Sequence, residues 1–186
     1  PLGVAVGNAI EVLESLAVLD GAGPADVLEL TLQLGSEVLV SSGICADVGE
    51  ARDRQLAKIS DGSAREKFAA MVAAQGGRLT DLELAPSYEV VSPIDGYLHA
   101  IDSETLGRSV IELGGGRRKM GDAIDHQVGV ECLVRVGDQV AKGQAIAKVF
   151  ARDTALMDRI QHAFKLKSQP TPPQPLLLDR ITHHVG

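Results

Sequence analysis

The chain has 186 residues, of which 45% are hydrophobic and 23% are charged, a composition typical of a globular protein with one or two domains. Its net charge of −7 and its aromatic content of 3% argue against a nucleic-acid-binding protein, because neither a basic face nor base-stacking platforms are available. We also expect neither a membrane span nor a signal peptide, since no uninterrupted apolar run is long enough to cross a bilayer.

The two cysteines, Cys45 and Cys132, are far apart in the sequence and do not form a disulfide framework. This usage is typical of a reducing compartment, so we expect a cytoplasmic protein. The chain starts at Pro1 instead of methionine and enters helical sequence within a few residues. We therefore expect it to be a piece of a larger protein.

Residues 1–77 are predicted to be helical. An apolar stripe at helical spacing predicts a first helix that ends at Asp20-Gly21, although Gly3 and Gly7 weaken its first turns. A second helix is predicted to start at Gly23-Pro24, where proline is tolerated in the first turn. This helix is apolar on most sides over residues 27–40, so we expect neighbouring elements to bury it.

A third helix is predicted from Asp47 to Asp61, and a fourth helix follows at once. Ser63 and Glu66 have the spacing of a capping box at the start of this fourth helix. Phe68 and Met71 are expected to lie in the core. No residues in these two helices suggest chemistry.

From about residue 79 the hydrophobic period changes from helix to strand. In chain order we predict strands at 88–91 and 97–101, a helix over 102–113 capped by Asp102 or Ser103, strands within 128–136 and at 145–150, a helix from Asp153 to Phe164, an extended segment at 168–175 and a last edge strand at 176–181. The second half is therefore predicted to be a compact β module with two helices.

A glycine-rich and basic segment, residues 112–130, lies between the two halves of this β module. Three consecutive glycines allow positive φ and leave backbone N–H groups uncovered, and three cationic side chains follow directly. Uncovered amides beside arginine suit an anionic ligand such as phosphate. The candidate residues are Gly114, Gly115, Gly116, Arg117, Arg118 and Lys119. A mobile surface loop with solvated charges is the alternative interpretation.

Two passages resemble one known family of enzymes. The passage AVGNAIEVLESLAVLDGAGPADVLEL (residues 5–30) resembles the helical passage of the thymidine and pyrimidine-nucleoside phosphorylases. The passage SPIDGYLHAIDSETLGRSVIELGGGRRKMGDAIDHQVGVECLVRVGDQVAKGQ (residues 92–144) resembles the C-terminal domain of the same enzymes. The two resemblances occur in the order of the family and cover most of residues 1–165.

The resemblance implies an α+β fold with two parts. Residues 1–77 would be a helical remnant of the large α/β domain, and residues 78–186 would be the C-terminal domain. The latter would be of the α/β-hammerhead type, with a barrel-sandwich-like β module.

The resemblance also implies a function for the intact protein. The family cleaves thymidine reversibly with phosphate to thymine and 2-deoxyribose 1-phosphate, without an organic cofactor, and dimerises through an N-terminal domain. Phosphate and pyrimidine nucleoside would be the ligands of the intact enzyme. Because the family binds both with residues that lie upstream, we expect no catalytic residue in this chain. It would form a cleft wall and be inactive alone.

One binding site of the family carries over in part. The passage PLGVAVGNAIEVLE (residues 1–14) matches a motif that holds a monovalent cation such as K⁺. The resemblance places carbonyl ligands on Leu2 and Ala5 and a carboxylate ligand on Glu14. Oxygen ligands suit a hard cation, and glycines that loosen a helix start would free such carbonyls.

Two functions of other classes remain alternatives. The flanks of the glycine-rich segment also resemble biotinyl and lipoyl carrier domains, in which Lys119 would be modified, and a non-catalytic scaffold module is the other alternative. No histidine has metal-ligand spacing with another histidine or with a cysteine. The histidines are His99, His126, His162, His183 and His184.

Overall fold

The computed structural model describes residues 1–80, 82–172 and 175–181 of the chain. Within these residues, helices lead into two small antiparallel sheets that carry further short helices. The predicted α+β class is therefore confirmed.

The first part of the chain forms four helices. They are α1 (Ala9–Leu19), α2 (Ala25–Ser41), α3 (Val48–Ser60) and α4 (Ser63–Ala74). Pro24 is the N-cap of α2, as its fixed φ near −60° allows. Helix α1 begins later than predicted, because residues 5–7 pair as a strand with a distant part of the chain.

The two predicted helix caps have different outcomes. At the start of α3, Asp47 Oδ1 accepts the N–H of Glu50 at 2.9 Å, and Glu50 Oε2 accepts the N–H of Ala46 at 2.8 Å. The capping box predicted at Ser63 is wrong. Ser63 is already inside α4, and its hydroxyl donates backwards to Asp61 Oδ1.

Helix α2 is only partly covered. Leu32 and Ser36 are buried, whereas Leu34 and Val38 are 57% and 64% exposed. The neighbouring elements of this chain therefore leave one side of the helix uncovered. These two exposed side chains lie four residues apart on one face of α2, and an exposed aliphatic face of this kind is unusual on a helix of a folded protein.

Helix α4 contributes less to the core than its sequence predicts. Met71 is 46% exposed, so its assignment to the core is wrong, and Phe68 is half-buried at the wall of a cleft. Both side chains belong to a short helix that packs mainly against α3, and none of its residues is buried.

Among the described residues, seven strands form the two sheets. They are β1 (Ala5–Gly7), β2 (Ser87–Val91), β3 (Gly96–Ile101), β4 (Gly129–Cys132), β5 (Gln139–Val140), β6 (Ala145–Phe150) and β7 (Phe164–Lys167). One sheet has the order β1-β4-β6-β2 and the other has the order β5-β3-β7. The predicted strands correspond to β2, β3, β4 and β6, whereas β1, β5 and β7 are additional.

Two helices connect the strands. Helix α5 (Ser103–Val110) widens into a π-helical turn over Ile111–Gly115, and α6 (Met157–Ala163) precedes β7. Asp102 caps α5, because its Oδ1 accepts the N–H of Thr105 at 3.0 Å. This hydrogen bond, together with the Thr105 hydroxyl, lowers the pKa of Asp102. The helix predicted to begin at Asp153 begins at Met157 instead.

The C-terminal segment does not return as a strand. Residues 175–181 lie outside both sheets, so the predicted edge strand at 176–181 is wrong. Instead, Arg180 Nη2 donates to Glu37 Oε2 of α2 at 2.9 Å. The segment thus runs back from the β module to the helical part.

Strand β1 joins the helical part to the β module. It pairs with β4 so that Gly7 faces Gly129, and a Cβ added to Gly7 would lie 3.0 Å from the Cα of Gly129. A Cβ added to Gly129 would lie 2.8 Å from Cγ2 of Ile10 on α1. Only glycine allows the backbones this close under α1. The domain boundary after residue 77 stays a prediction, although β1 belongs to a sheet of the second part.

The main core lies between the two sheets and the helices α5 and α6. Its fully buried aliphatic side chains come from strands and helices alike. The larger ones include Leu98, Leu106, Val130, Ile146, Val149 and Ile160. Within the described residues, no helix combines the length and the apolar character that crossing a membrane requires.

The core position of Leu98 makes the first prediction. Its side chain is 0% exposed, so Leu98→Ala leaves a cavity and lowers the free energy of unfolding by about 2–5 kcal/mol. Met120, which is 100% exposed, provides the control, since Met120→Ala changes stability by less than about 0.5 kcal/mol. Urea denaturation of the 186-residue chain measures both. Equal stability of the two variants would contradict the packing described here.

Candidate functional site

A carboxylate from α1 accepts hydrogen bonds from the backbone of the N-terminal loop, residues 2–5. Glu14 Oε1 accepts the N–H of Val4 at 2.8 Å and that of Ala5 at 2.9 Å. Its second oxygen, Oε2, occupies the space that a Cβ at Gly3 would fill, and Gly3 has a φ of +68° that favours glycine. The loop and the Glu14 carboxylate therefore form one fitted unit.

A second carboxylate holds the same loop from α2. Asp26 Oδ2 accepts the N–H of Gly3 at 3.1 Å and the Nη1 of Arg135 at 2.6 Å. Asp26 Oδ1 accepts Arg135 Nη2 at 3.1 Å. Burial alone would raise the pKa of Asp26, but the hydrogen bonds from Arg135 and Gly3 outweigh it and lower the pKa.

The carbonyl groups of the loop are the candidate cation ligands. Val4 O accepts the N–H of Cys132 at 2.7 Å, and Ala5 pairs with Glu131. Because antiparallel pairs alternate, the carbonyl of Ala5 points away from β4, towards the open edge of the sheet. The carbonyl of Ala5 thus lies at a strand edge and not, as expected, at a loosened helix start, and Leu2 precedes the strand.

The chemistry of this donor set fits a monovalent cation. The carbonyls of Leu2 and Ala5 and the carboxylate of Glu14 are all oxygen donors, which hard cations prefer. Glu14 lines a cleft of about 520 Å³ with Ala5 and Arg135. The assignment of Leu2, Ala5 and Glu14 as cation ligands stays a prediction.

A larger cleft, of about 940 Å³, opens at the other end of β1. It lies between α1, α4, residues 124–127 and Arg152. Arg152 Nε donates to Asp125 Oδ2 at 2.9 Å, and Arg152 Nη2 donates to Gln127 Oε1 at 2.6 Å. The hydrogen bond from Arg152 lowers the pKa of Asp125 against the opposing effect of burial. The guanidinium of Arg152 is therefore committed to the wall of the cleft.

The glycine–arginine loop, residues 114–119, is attached to the rim of this large cleft. Asn8 Nδ2 donates to the carbonyl of Gly115 at 2.7 Å, and the N–H of Asp125 donates to the carbonyl of Gly114 at 2.9 Å. Gly114 has a φ of +102°, as the prediction of positive φ requires. Gly115 is buried, so the base of the loop is packed against neighbouring elements, whereas a mobile surface loop stays the alternative interpretation for the exposed residues that follow.

Two amides that follow the three glycines of the glycine–arginine loop are covered. The N–H groups of Arg118 and Lys119 both donate to Asp122 Oδ2 at 3.1 Å. The side chains of Arg117, Arg118 and Lys119 are exposed. Cationic side chains are therefore available to an anion, whereas these two amides are available only after Asp122 moves. Phosphate contact stays a prediction.

The carrier alternative finds little support in this geometry. A modified lysine in a carrier domain stands at the tip of a hairpin between paired strands. Lys119 instead follows a π-helical turn and precedes β4 by several irregular residues. We therefore disfavour this alternative.

Two of the described histidines make side-chain hydrogen bonds. His99 Nδ1 contacts the Thr171 hydroxyl at 3.0 Å, and His162 Nδ1 contacts the carbonyl of Asp158 at 2.6 Å. His183 and His184 lie outside the described residues. Across residues 1–80, 82–172 and 175–181, no group of three or more His, Cys, Asp or Glu side chains has the arrangement of a metal site.

Several residues of these sites escaped the sequence reasoning. No sequence pattern assigns a site role to Asp26 or Arg135. Their contact spans 109 residues of sequence, so no local pattern indicates it. Asp125 and Gln127 lie within the glycine-rich and basic segment, residues 112–130, and this position was a weak signal for the wall of the large cleft.

Comparisons with known proteins agree with this arrangement. Residues 97–169 match the family model of the pyrimidine nucleoside phosphorylase C-terminal domain. A thymidine phosphorylase of Burkholderia lata is 38% identical over 174 residues, which cover 86% of this chain and 40% of that protein. One of Mycobacterium tuberculosis is 36% identical over 187 residues, which cover 97% and 42%. The chain thus spans about two fifths of the length of the curated relatives that it matches.

The buried thiol of Cys132, on β4 beside the N-terminal loop, generates a prediction for alkaline pH. Burial raises its pKa from 9.0 to about 11, so between these values the folded chain keeps a proton that the unfolded chain loses. The stability that this proton provides is complete below pH 9.0 and is lost as the pH rises to about 11. As the pH rises from about 8 to about 10.5, the free energy of unfolding of the wild type should fall by on the order of 2 kcal/mol more than that of Cys132→Ala.

Urea denaturation at a series of pH values tests this prediction. Val134→Ala, which removes a buried apolar neighbour and keeps the thiol, should be less stable yet retain the slope of the wild type. An equal slope for Cys132→Ala and the wild type would contradict the prediction.

Proposed function

This chain belongs to the thymidine and pyrimidine-nucleoside phosphorylase family and corresponds to its C-terminal portion, and we propose that the intact protein cleaves thymidine reversibly with phosphate. The products would be thymine and 2-deoxyribose 1-phosphate. The observation that carries this proposal is the similarity to thymidine phosphorylases over 86–98% of the chain, which includes the helical part as well as the β module.

In the proposed reaction, a phosphate oxygen attacks the anomeric carbon of the sugar as the bond to the base breaks. The bonding electrons leave with the base, and the sugar passes through an oxocarbenium-like state. We assign phosphate and base binding to parts of the intact protein outside these 186 residues. The role of this chain is to form one wall of the substrate cleft, with a C-terminal domain of the α/β-hammerhead type.

The N-terminal loop supports a cation site in this proposal. The carbonyls of Leu2 and Ala5 and the carboxylate of Glu14 would hold part of the coordination shell of K⁺, and residues outside this chain would complete it. When bound, the cation would supply positive charge near the phosphate. The support is the fit between Glu14 and the loop, in which the N–H groups of Val4 and Ala5 both donate to the carboxylate.

The glycine–arginine loop supports a second role. Arg117 and Arg118 would add positive potential near phosphate when the cleft closes. The π-helical turn that anchors Gly115 to Asn8 gives this loop a fixed base, from which the exposed arginines extend. Release of Asp122 from the two loop amides would accompany closure and expose further donors.

Other properties of the intact protein are proposed from the family alone. We propose a homodimer formed through a part outside this chain, a cytoplasmic location and catalysis without an organic cofactor.

Release of thymine from thymidine tests the proposed function directly. We expect phosphate-dependent release by the intact protein and none by the 186-residue chain with its mass confirmed. Adding the remaining part of the protein to the chain should restore turnover. Activity of the chain alone would show that essential residues lie within it, and an inactive intact protein would overturn the assigned reaction.

A double variant of the intact protein tests the glycine–arginine loop. Arg117→Ala/Arg118→Ala removes two exposed charges and should raise the KM for phosphate about tenfold, the effect of roughly 1.4 kcal/mol of lost attraction. The matched control is Arg108→Ala, since Arg108 is an exposed arginine nearby that pairs with Glu104 on its own helix. Initial rates at varied phosphate measure both variants. An unchanged KM and kcat in the double variant would remove the loop from the mechanism.

A further inference from the structure

Asp26 is the point at which three separate parts of the chain meet. It lies in the first turn of α2, accepts the N–H of Gly3 from the N-terminal loop, and holds the guanidinium of Arg135 through both carboxylate oxygens. The side chain of Asp26 is only 21% exposed. Two-point arginine–carboxylate contacts are among the stronger and more directional hydrogen bonds in proteins.

The backbone that carries Arg135 is itself fixed. The N–H of Arg135 donates to Asp138 Oδ2 at 2.8 Å, and Cys132, three residues earlier, donates to the carbonyl of Val4 in the N-terminal loop. The loop is therefore held by Glu14, by β4 and by Asp26. Removal of Asp26 leaves Gly3 without its carboxylate partner, next to the residues proposed as cation ligands.

The positive charge of Arg135 is important for the cation site, in addition to its hydrogen bonds with Asp26. Arg135 and Glu14 line the same cleft, and a guanidinium is a permanent cation that pairs readily with carboxylates. In the structure this cation is paired with Asp26. The hydrogen bond with Asp26 also raises the pKa of Arg135. Without Asp26, Arg135 becomes free to compete with a bound cation for Glu14.

We infer that Asp26 and Arg135 are positioning residues for the cation site: Asp26 holds the N-terminal loop in its binding shape and keeps Arg135 away from Glu14. This inference rests on the proposed cation site at Leu2, Ala5 and Glu14. It assigns the two residues no contact with substrate or cation. Their effect is exerted through the loop and through the charge of Glu14.

Potassium-dependent thermal stabilisation of the intact protein provides the test. The shift in Tm is measured against KCl concentration, with tetramethylammonium chloride added to keep the ionic strength constant. The readout is the K⁺ concentration that gives half of the maximal shift. It reports affinity separately from the stability of each variant without K⁺.

Asp26→Asn should raise this half-maximal concentration on the order of tenfold, because substitution of outer-shell partners of metal ligands typically weakens metal binding by that factor or more. Arg135→Ala should raise it less, because this change loosens the loop but also removes the competing cation. The double variant Asp26→Asn/Arg135→Ala should bind K⁺ more tightly than Asp26→Asn alone. A general loss of structure would not produce such a rescue.

The neighbouring pair Glu29–Arg52 offers a matched control. Arg52 also contacts its carboxylate partner through two nitrogens, at 3.0 and 2.6 Å, and Glu29 is three residues from Asp26 on α2. This pair joins α2 to α3 and has no contact with the N-terminal loop among the hydrogen bonds of the described residues. Glu29→Gln and Arg52→Ala should leave the half-maximal K⁺ concentration unchanged.

Three results would overturn the inference. The first is an equal K⁺ response of Asp26→Asn and Glu29→Gln, which would leave the cation site itself intact. The second is a double variant that binds K⁺ no better than Asp26→Asn. The third is a wild type without any K⁺-specific shift, and if this wild type still releases thymine, the proposed reaction stands and only the cation site fails.

Arg135→Lys covers the case in which Asp26→Asn does not fold. Lysine keeps the charge but loses the two-point grip, so the half-maximal K⁺ concentration should rise. An unchanged value in a folded Arg135→Lys protein would overturn the positioning role of Arg135.

Discussion

The close approach of Gly7 and Gly129 is the constraint on which the arrangement of this chain depends. With no side chain on either glycine, β1 can pair with β4 directly beneath Ile10 of α1. This contact places the N-terminal loop at one end of β1 and the large cleft at the other. Both candidate sites therefore depend on one short strand that neither the helical part nor the β module could position alone.

Acidic side chains provide the second layer of organisation around β1. Glu14, Asp26 and Glu11 accept backbone N–H groups between Gly3 and Gly7, so three carboxylates hold five residues of chain. The carbonyl of Val4 in turn accepts the N–H of Cys132 in β4. The segment is therefore held by the carboxylates and by the sheet together.

Local signals in the sequence predict where the helices and strands of this fold lie better than they predict which distant elements pack against them. Asp47 and Asp102 mark helix starts correctly, because the cap and the helix lie within a few residues of each other. Met71 shows the limit, since its exposure depends on which distant elements cover α4. For the candidate site, family resemblance indicated Glu14, but the contact between Asp26 and Arg135 joins residues too far apart for any spacing rule.

The number of residues in the turn at Ile111–Gly115 determines where the glycine–arginine loop lies. The helical path ends in this turn, because Gly114 has a φ of +102° that favours glycine and Gly115 is buried behind it. Loss of one residue here would shift the chain that follows relative to its present contacts. The carbonyl of Gly115 would then turn away from Asn8, so natural variants of this segment are expected to change in sequence without changing in length.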